Sequence, residues 1–294
     1  MRFGLSCALA LPLKDSFNVD FARLATHASR CLAAGCSSVT VFGTTGEGAS
    51  VSLAERQQIL KALSHEDIEI GRQVLGGVAA ASVGDAVAQA RVAIDAGCRG
   101  LLLAPPFYYK GVTDDGLYGW FSQVFEKIGS QGGDVILYHI PSVTAATLSI
   151  RLIGRLKKAF PEIVKGVKDS GSDWSYTERL LEAHGELLIL IGNERHLSAG
   201  IRLGAQGAIS GLANVCPEIL LKVIETGIDD ARIVEFTGEV LRFPFTPAVK
   251  SLLAYLDKNP LWAAVRPPLV ALSESEAAAL SSAYRRIISY APAL

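Results

Sequence analysis

The stretch IVKGVKDS, residues 163–170, poses the question on which the fold turns. Its valines and isoleucine read as a strand, and the run is apolar enough to lie buried. It ends on Lys168, yet desolvating an ammonium costs several kcal/mol unless the group is paired or neutral. Side chains alternate along a strand, so Val164, Gly166 and Lys168 are expected on one face, with Lys165 and Val167 on the other. If the first face is an enclosed interior, Gly166 leaves room beneath the lysine.

Seven runs of the same kind accompany it: FGLSCALAL (3–11), SSVTVFG (37–43), QVLGGVA (73–79), GLLLAP (100–105), VILYHIP (135–141), LLILIGNE (187–194) and GAISG (207–211). The segments between them have helical spacing. In FARLATHASRCLAAG, Phe21, Leu24, Ala25, Ala28 and Leu32 fall on one stripe that Gly35 stops. Ser52 with Glu55 three residues on is a capping box, and VGDAVAQARVAIDAG ends on Gly97. Near-continuous apolar strands alternating with amphipathic helices imply parallel strands buried on both faces. Eight such units in roughly 220 residues predict an α/β fold of the (β/α)8 TIM-barrel type. The rival, a doubly wound open sheet, usually carries G-x-G-x-x-G after its first strand, where this chain has LPLKDSF.

Beyond residue 225 the strands stop. ARIVEFTGEVLRF, PAVKSLLAYLDKN and SEAAALSSAYRRIISY are helical in period, punctuated by Pro244, Pro247, Pro260, Pro267 and Pro268. The expected division is a barrel over residues 1–224 and a C-terminal three-helix domain over 225–294.

The chain has 294 residues, half of them hydrophobic, and a net charge of −1. That supports a large core and offers no electrostatic footprint for nucleic acid or an anionic membrane. No apolar stretch is long enough for a membrane span. MRFGLSCALALPL runs into the charged KDSFNVD with no cleavage pattern of small residues, so it reads as a buried first strand and not as a signal peptide. Cys7, Cys31, Cys36, Cys98 and Cys216 are odd in number and lack CxxC spacing, and they read as reduced core thiols of a cytoplasmic protein. His27, His65, His139, His184 and His196 form no HxH or HExxH pattern, so no metal site is expected.

In a barrel of this kind the active site lies at the C-terminal ends of the strands. The polar residues there are GTTGE (43–47), PPFYYK (105–110), Tyr138, His139, Lys168, Asp169, Ser170, Asn193, Glu194, Arg195 and Ser210. A lysine in an apolar barrel mouth has its charged form disfavoured, and a neutral amine attacks carbonyls to form a Schiff base. The plainer alternative is a lysine that snorkels to solvent or pairs with Asp169. Tyr138 ends the adjacent strand, where a phenol can shuttle protons or be an ordinary amphipathic tyrosine. GTTGE offers two hydroxyls and several amides just before a helix, which suits a small carboxylate or makes a plain βα turn. Together, an amine nucleophile, a phenol and a carboxylate cradle make a site for a 2-oxo acid.

GTTGE, LYHIP and GVKDS, in this order and spacing, resemble the pyruvate-dependent class I aldolase family, which includes dihydrodipicolinate synthase, N-acetylneuraminate lyase and 2-keto-3-deoxy-sugar-acid aldolases. The resemblance covers nearly the whole chain. It implies a (β/α)8 barrel with a C-terminal helical domain, assembled as a homotetramer, a dimer of dimers. It implies Lys168 as the Schiff-base lysine and Tyr138 as the general acid/base. Thr44 would link Tyr138 to a second tyrosine from a neighbouring subunit, and that tyrosine is Tyr108, two residues after Pro106, or else Tyr109. Thr45, with Gly46 beside it, would bind the carboxylate of pyruvate, and Ile209 and Gly192 would line the pocket. The implied partners are pyruvate and an aldehyde, with no nucleic acid and no membrane.

The chain also departs from the family pattern. In PSVTA, Val143 stands where synthases of lysine biosynthesis carry an arginine for the aldehyde's carboxylate, which argues against a standard dihydrodipicolinate synthase. Lyases of polyhydroxylated substrates use acidic residues after strand 7. Here Glu194 could accept hydroxyl hydrogen bonds and Arg195 could hold a second carboxylate, unless both belong to a solvated helix start. His139 replaces a common asparagine, and either substrate contact or a supporting role is open to it. The expectation is a lyase that joins pyruvate to an aldehyde or cleaves the product, with a synthase using aspartate semialdehyde or a 2-keto-3-deoxy acid dehydratase as alternatives. Other classes remain open: a metal-dependent aldolase, a barrel enzyme binding phosphate through GNERHLSAG and GAISGLAN, and a non-enzymatic sensor of 2-oxo acids.

Overall fold

Alternating strands and helices along the chain generate a closed parallel barrel in the computed structural model, which describes residues 3–15, 17–129 and 133–289. The strands are β1 (Gly4–Ala8), β2 (Ser38–Val41), β3 (Val74–Val78), β4 (Gly100–Leu103), β5 (Asp134–His139), β6 (Val164–Asp169), β7 (Leu188–Ile191) and β8 (Gly207–Ser210). They pair in sequence order, and β8 closes on β1. Each falls on one of the eight runs read from the sequence. The helices α1 (Phe21–Ala33), α2 (Leu53–Ser64), α4 (Val83–Asp95), α5 (Asp114–Ile128), α7 (Ile150–Ala159), α8 (Trp174–Ala183), α9 (Leu197–Arg202) and α10 (Pro217–Thr226) follow the strands in turn. Two single turns, α3 (Ile70–Gln73) and α6 (Pro141–Thr144), sit in the connections.

Alternation along the strands divides the apolar residues into two cores. The outer one joins strands to helices; it includes Leu24, Ala25 and Ala28 of α1, with His27 and Cys31 also buried on that helix. The inner one fills the barrel with Phe3, Leu75, Leu102, Ile136, Leu190 and Ile209, among others. Each such aliphatic or aromatic side chain contributes about 1.5–3 kcal/mol on burial. Ser52 and Glu55 form the capping box that starts α2, and Gly35, at a φ of +103°, follows the end of α1. All five cysteines are free, four of them buried and Cys98 half-buried.

The face pattern of β6 differs from simple alternation. Val135 pairs with Val164 but Ile136 pairs with Gly166, so Lys165 is an extra residue in the ladder. A bulge of this kind shifts the phase of everything before it. Val164 therefore packs in the outer core, while Gly166 and Lys168 face the interior. Nor does Gly166 clear space for the lysine: a Cβ there would lie 2.5 Å from the carbonyl oxygen of Leu188, so the glycine permits close approach of β7.

The segments of helical period beyond residue 225 form α11 (Ala231–Val240), α12 (Phe245–Leu256) and α13 (Glu274–Tyr284). They fold back onto the loop after β2. Thr246 Oγ1 donates to the Thr44 carbonyl at 3.1 Å, and Lys250 Nζ lies 2.5 Å from Glu47 Oε1 with both side chains 0% exposed. The Arg266 backbone N–H donates to Glu47 Oε2 at 2.8 Å, and its guanidinium reaches the Ser50 carbonyl at 2.7 Å and Glu55. These bonds hold Glu47 at a φ of +52°, a left-handed conformation that a residue with a Cβ takes only when its surroundings impose it. Among the described residues no helix is long and apolar enough to cross a membrane.

Candidate active site

Parallel pairing of β5 with β6 sets Tyr138 beside Lys168, both on the inner face and both buried. Lys168 Nζ stands 3.4 Å from Tyr138 Oη and 4.4 Å from the centre of its ring. Asp169 is one residue on and so faces the other way. Its Oδ1 accepts from His139 Nδ1 at 2.9 Å and from the Gly171 N–H at 2.9 Å, and its Oδ2 accepts from Thr177 Oγ1 at 2.7 Å. The carboxylate is thus engaged on the helix side, which removes the simple Lys168–Asp169 pair. His139 stacks on Tyr176 of α8, ring centres 4.1 Å apart, and does not line the cavity at Lys168.

The loop after β2 brings Thr44 Oγ1 to 3.4 Å from Tyr138 Oη. Thr45 is buried beside it and faces Gly211, where an added Cβ would press on Thr45 Oγ1 and on the ring of Phe245. Gly46 serves packing: a Cβ there would lie 2.6 Å from the Leu9 carbonyl oxygen. The loop is braced from below by the buried Arg56, whose guanidinium donates to the carbonyls of Gly48 and Gly77, each at 2.7 Å.

A cavity of about 180 Å³ opens at these groups. Thr44, Thr45, Tyr138, Lys168, Gly192, Glu194 and Ile209 line it, so seven of the ten residues anticipated from the sequence converge there. Gly192 is needed where it stands, since a Cβ would overlap Ser170 Oγ and come within 3.1 Å of Lys168 Cε. Glu194 is 6% exposed and not part of a solvated helix start. Ser210 Oγ lies 2.5 Å from Glu194 Oε1, and burial raises the carboxyl above its ordinary range. Among the lining residues Lys168 is the one cation and Glu194 the one carboxyl group.

Three anticipated residues do not reach this cavity. Gly46 is packed as described. Arg195 is exposed, bonding Asn193 Oδ1 through its backbone N–H, and leaves the cavity without a second cation. Tyr108 and Tyr109, 72% and 75% exposed, pack edge to face on the loop after β4. Val143 on α6 is 56% exposed and lines both this cavity and a larger apolar one of about 350 Å³ beside it. Residues that the sequence did not suggest also contribute: Thr237 from α11, Leu241 from the C-terminal cap of that helix, and Phe245 from α12. Nothing local in the helical period of 231–256 marks them as site residues. Among the described residues no group of three or more His, Cys, Asp or Glu is placed to hold a metal ion.

Chemically, the arrangement offers an amine that can add to a carbonyl, a phenol and a threonine hydroxyl along which a proton can move, and a carboxyl group across the cavity. A family model described as the dihydrodipicolinate synthetase family matches residues 2–287. A DapA-like lyase of Chloroflexus aurantiacus is 32% identical over 293 residues, covering 97% of each chain. A 4-hydroxy-tetrahydrodipicolinate synthase of Methanopyrus kandleri is 29% identical over 278 residues, 90% of each chain. The solved structure of dihydrodipicolinate synthase from Agrobacterium tumefaciens is 50% identical with a TM-score of 0.95, over 98% of this chain and 100% of that one.

Proposed function

The chain belongs to the dihydrodipicolinate synthetase family, whose members are lyases, and on that premise we propose that it joins pyruvate to an aldehyde, or cleaves the product, through a Schiff base on Lys168. The Lys168 amine adds to the ketone carbon of pyruvate, and loss of water gives an imine. Removal of a proton from the methyl carbon then gives an enamine, which forms the new carbon–carbon bond with the aldehyde. The imine is the electron sink, so the reading calls for no cofactor. Tyr138 moves the protons, relayed through Thr44. The relay continues to Tyr108 or Tyr109 of a neighbouring copy in a homotetramer, in keeping with the exposure of both tyrosines in the single chain. Thr45 and the adjoining amides hold the carboxylate of pyruvate.

The observation that carries the reading is the line Lys168–Tyr138–Thr44, two successive contacts of 3.4 Å at the mouth of the barrel. The aldehyde is taken to be uncharged and hydroxylated. Glu194, with its raised carboxyl, suits a hydroxyl group, and no cation besides Lys168 lines the cavity for a second carboxylate. Borohydride treatment with and without pyruvate, followed by mass spectrometry, tests the mechanism. The expected result is a reduced pyruvate adduct on the peptide holding Lys168, absent in Lys168→Ala. No adduct on the wild-type chain overturns the reading.

The name of the Agrobacterium relative favours a second reading, synthesis from pyruvate and aspartate semialdehyde. Val143 in place of an arginine weighs against it, because the semialdehyde's carboxylate would lack a partner. Faster turnover with aspartate semialdehyde than with glyceraldehyde would select this second reading.

A further inference from the structure

Thr237 lies in the middle of α11, on a helix that packs against the turn holding Glu194. It is 1% exposed and lines the 180 Å³ cavity together with Leu241 and Phe245. A helical threonine has a hydrogen-bond partner ready in the carbonyl four residues back. Thr144 and Thr226 use it, bonding the carbonyls of Ile140 and Lys222 at 3.0 and 2.7 Å. Thr237 leaves that bond unmade, and its Oγ1 is buried with no partner among the described residues. An unpaired buried hydroxyl is costly to the fold, which points to a group that is satisfied only when the site is filled.

The surroundings define what such a group would be. Ser170 Oγ is a second buried, unpartnered hydroxyl lining the same cavity. Glu194 and Ser210 form a polar pair nearby, and Leu241, Phe245 and Ile209 complete an apolar wall. A carboxylate or phosphate would call for cations that this end of the cavity lacks. An alcohol, able both to donate and to accept, matches the set.

We propose that Thr237 Oγ1 hydrogen-bonds a hydroxyl on the aldehyde half of the substrate, so that α11 sets which aldehyde is accepted. This rests on the lyase reading above. The test uses the full chain and its near-isosteric variant Thr237→Val, with pyruvate and either glyceraldehyde or propanal. Wild type prefers glyceraldehyde. In the variant kcat/KM for glyceraldehyde falls about tenfold, while propanal turnover and the borohydride-trapped pyruvate adduct are unchanged. Tm holds or rises, since an unpaired buried hydroxyl has been removed, and Thr237→Ser keeps the preference for glyceraldehyde. Three outcomes overturn the proposal alone: a wild type that forms the adduct without preferring glyceraldehyde, an equal fall for both aldehydes with a lowered Tm, or an unchanged ratio in Thr237→Val. A wild type that forms no adduct overturns the lyase reading, and the proposal with it.

Discussion

Lys168 and Tyr138 meet across neighbouring strands, with the lysine nitrogen 3.4 Å from the phenol oxygen and 4.4 Å from the ring centre. On the proposed mechanism the oxygen carries the proton, and the ring packs beside the amine. Tyr138→Phe keeps the ring and removes the proton carrier. Turnover is expected to fall by about 10²–10⁴-fold, as for loss of a general acid/base, with little change in stability because both contacts of the hydroxyl are long. Steady-state kinetics beside thermal unfolding checks this. A variant with near-normal turnover would remove Tyr138 from the mechanism.

Lys250 and Glu47 form a fully buried ion pair that ties α12 to the loop after β2. Lys250→Met leaves the Glu47 carboxyl group buried with only the Arg266 N–H as partner. The expected loss is about 3–5 kcal/mol in urea denaturation, largely recovered when Glu47→Gln is added. A loss near zero in the single variant would mean that water already reaches the pair.

Gly192→Ala puts a methyl group onto Ser170 Oγ and beside Lys168 Cε. Displacing the amine by a fraction of an ångström to an ångström should lower kcat about 10²-fold. The trapped adduct should form more slowly while the far-ultraviolet circular dichroism stays that of the wild type.

Glu194 has its carboxyl raised by burial above the ordinary value of 4.5. Between that value and the raised one the native state holds a proton that the unfolded state releases. Stability from this group is therefore present at low pH and is lost as pH rises through the window. In Glu194→Gln the loss disappears, so the stability advantage of wild type over the variant shrinks as pH rises from about 4.5. Urea denaturation at a series of pH values measures it, and a pH-independent difference would rule out the raised carboxyl.

Val143→Arg places a cation at the cavity edge on α6. Condensation with aspartate semialdehyde should rise while the pyruvate adduct is unchanged. If activity with the semialdehyde stays the same, the missing arginine does not limit the substrate range.

The strands were legible because both of their faces are buried, which leaves nearly unbroken apolar runs between turn residues. That Lys168, Tyr138, Thr44 and Thr45 gather at one mouth of the barrel was legible because each stands near the C-terminal end of such a run or in the loop after it. The bulge at Lys165 was not, because VKGVKD alternates acceptably in either phase. The burial of Glu194 was hidden as well: GNER reads as an exposed helix start until Ser210, sixteen residues later, closes over it. Lys250 and Glu47 are 203 residues apart, and neither neighbourhood announces the other. Thr237 falls on a helix whose period is explained by burial alone.

The ties between residues 246–266 and the loop after β2 also impose a timetable. A ribosome delivers β5 and β6, and with them the amine and the phenol, well before it delivers α12. During that interval Glu47 has no cation, and the Thr44 carbonyl lacks the hydroxyl of Thr246. The nascent barrel thus carries Lys168 and Tyr138 while the loop after β2 is still unfastened, and residues 246–266, made later, are what fasten it.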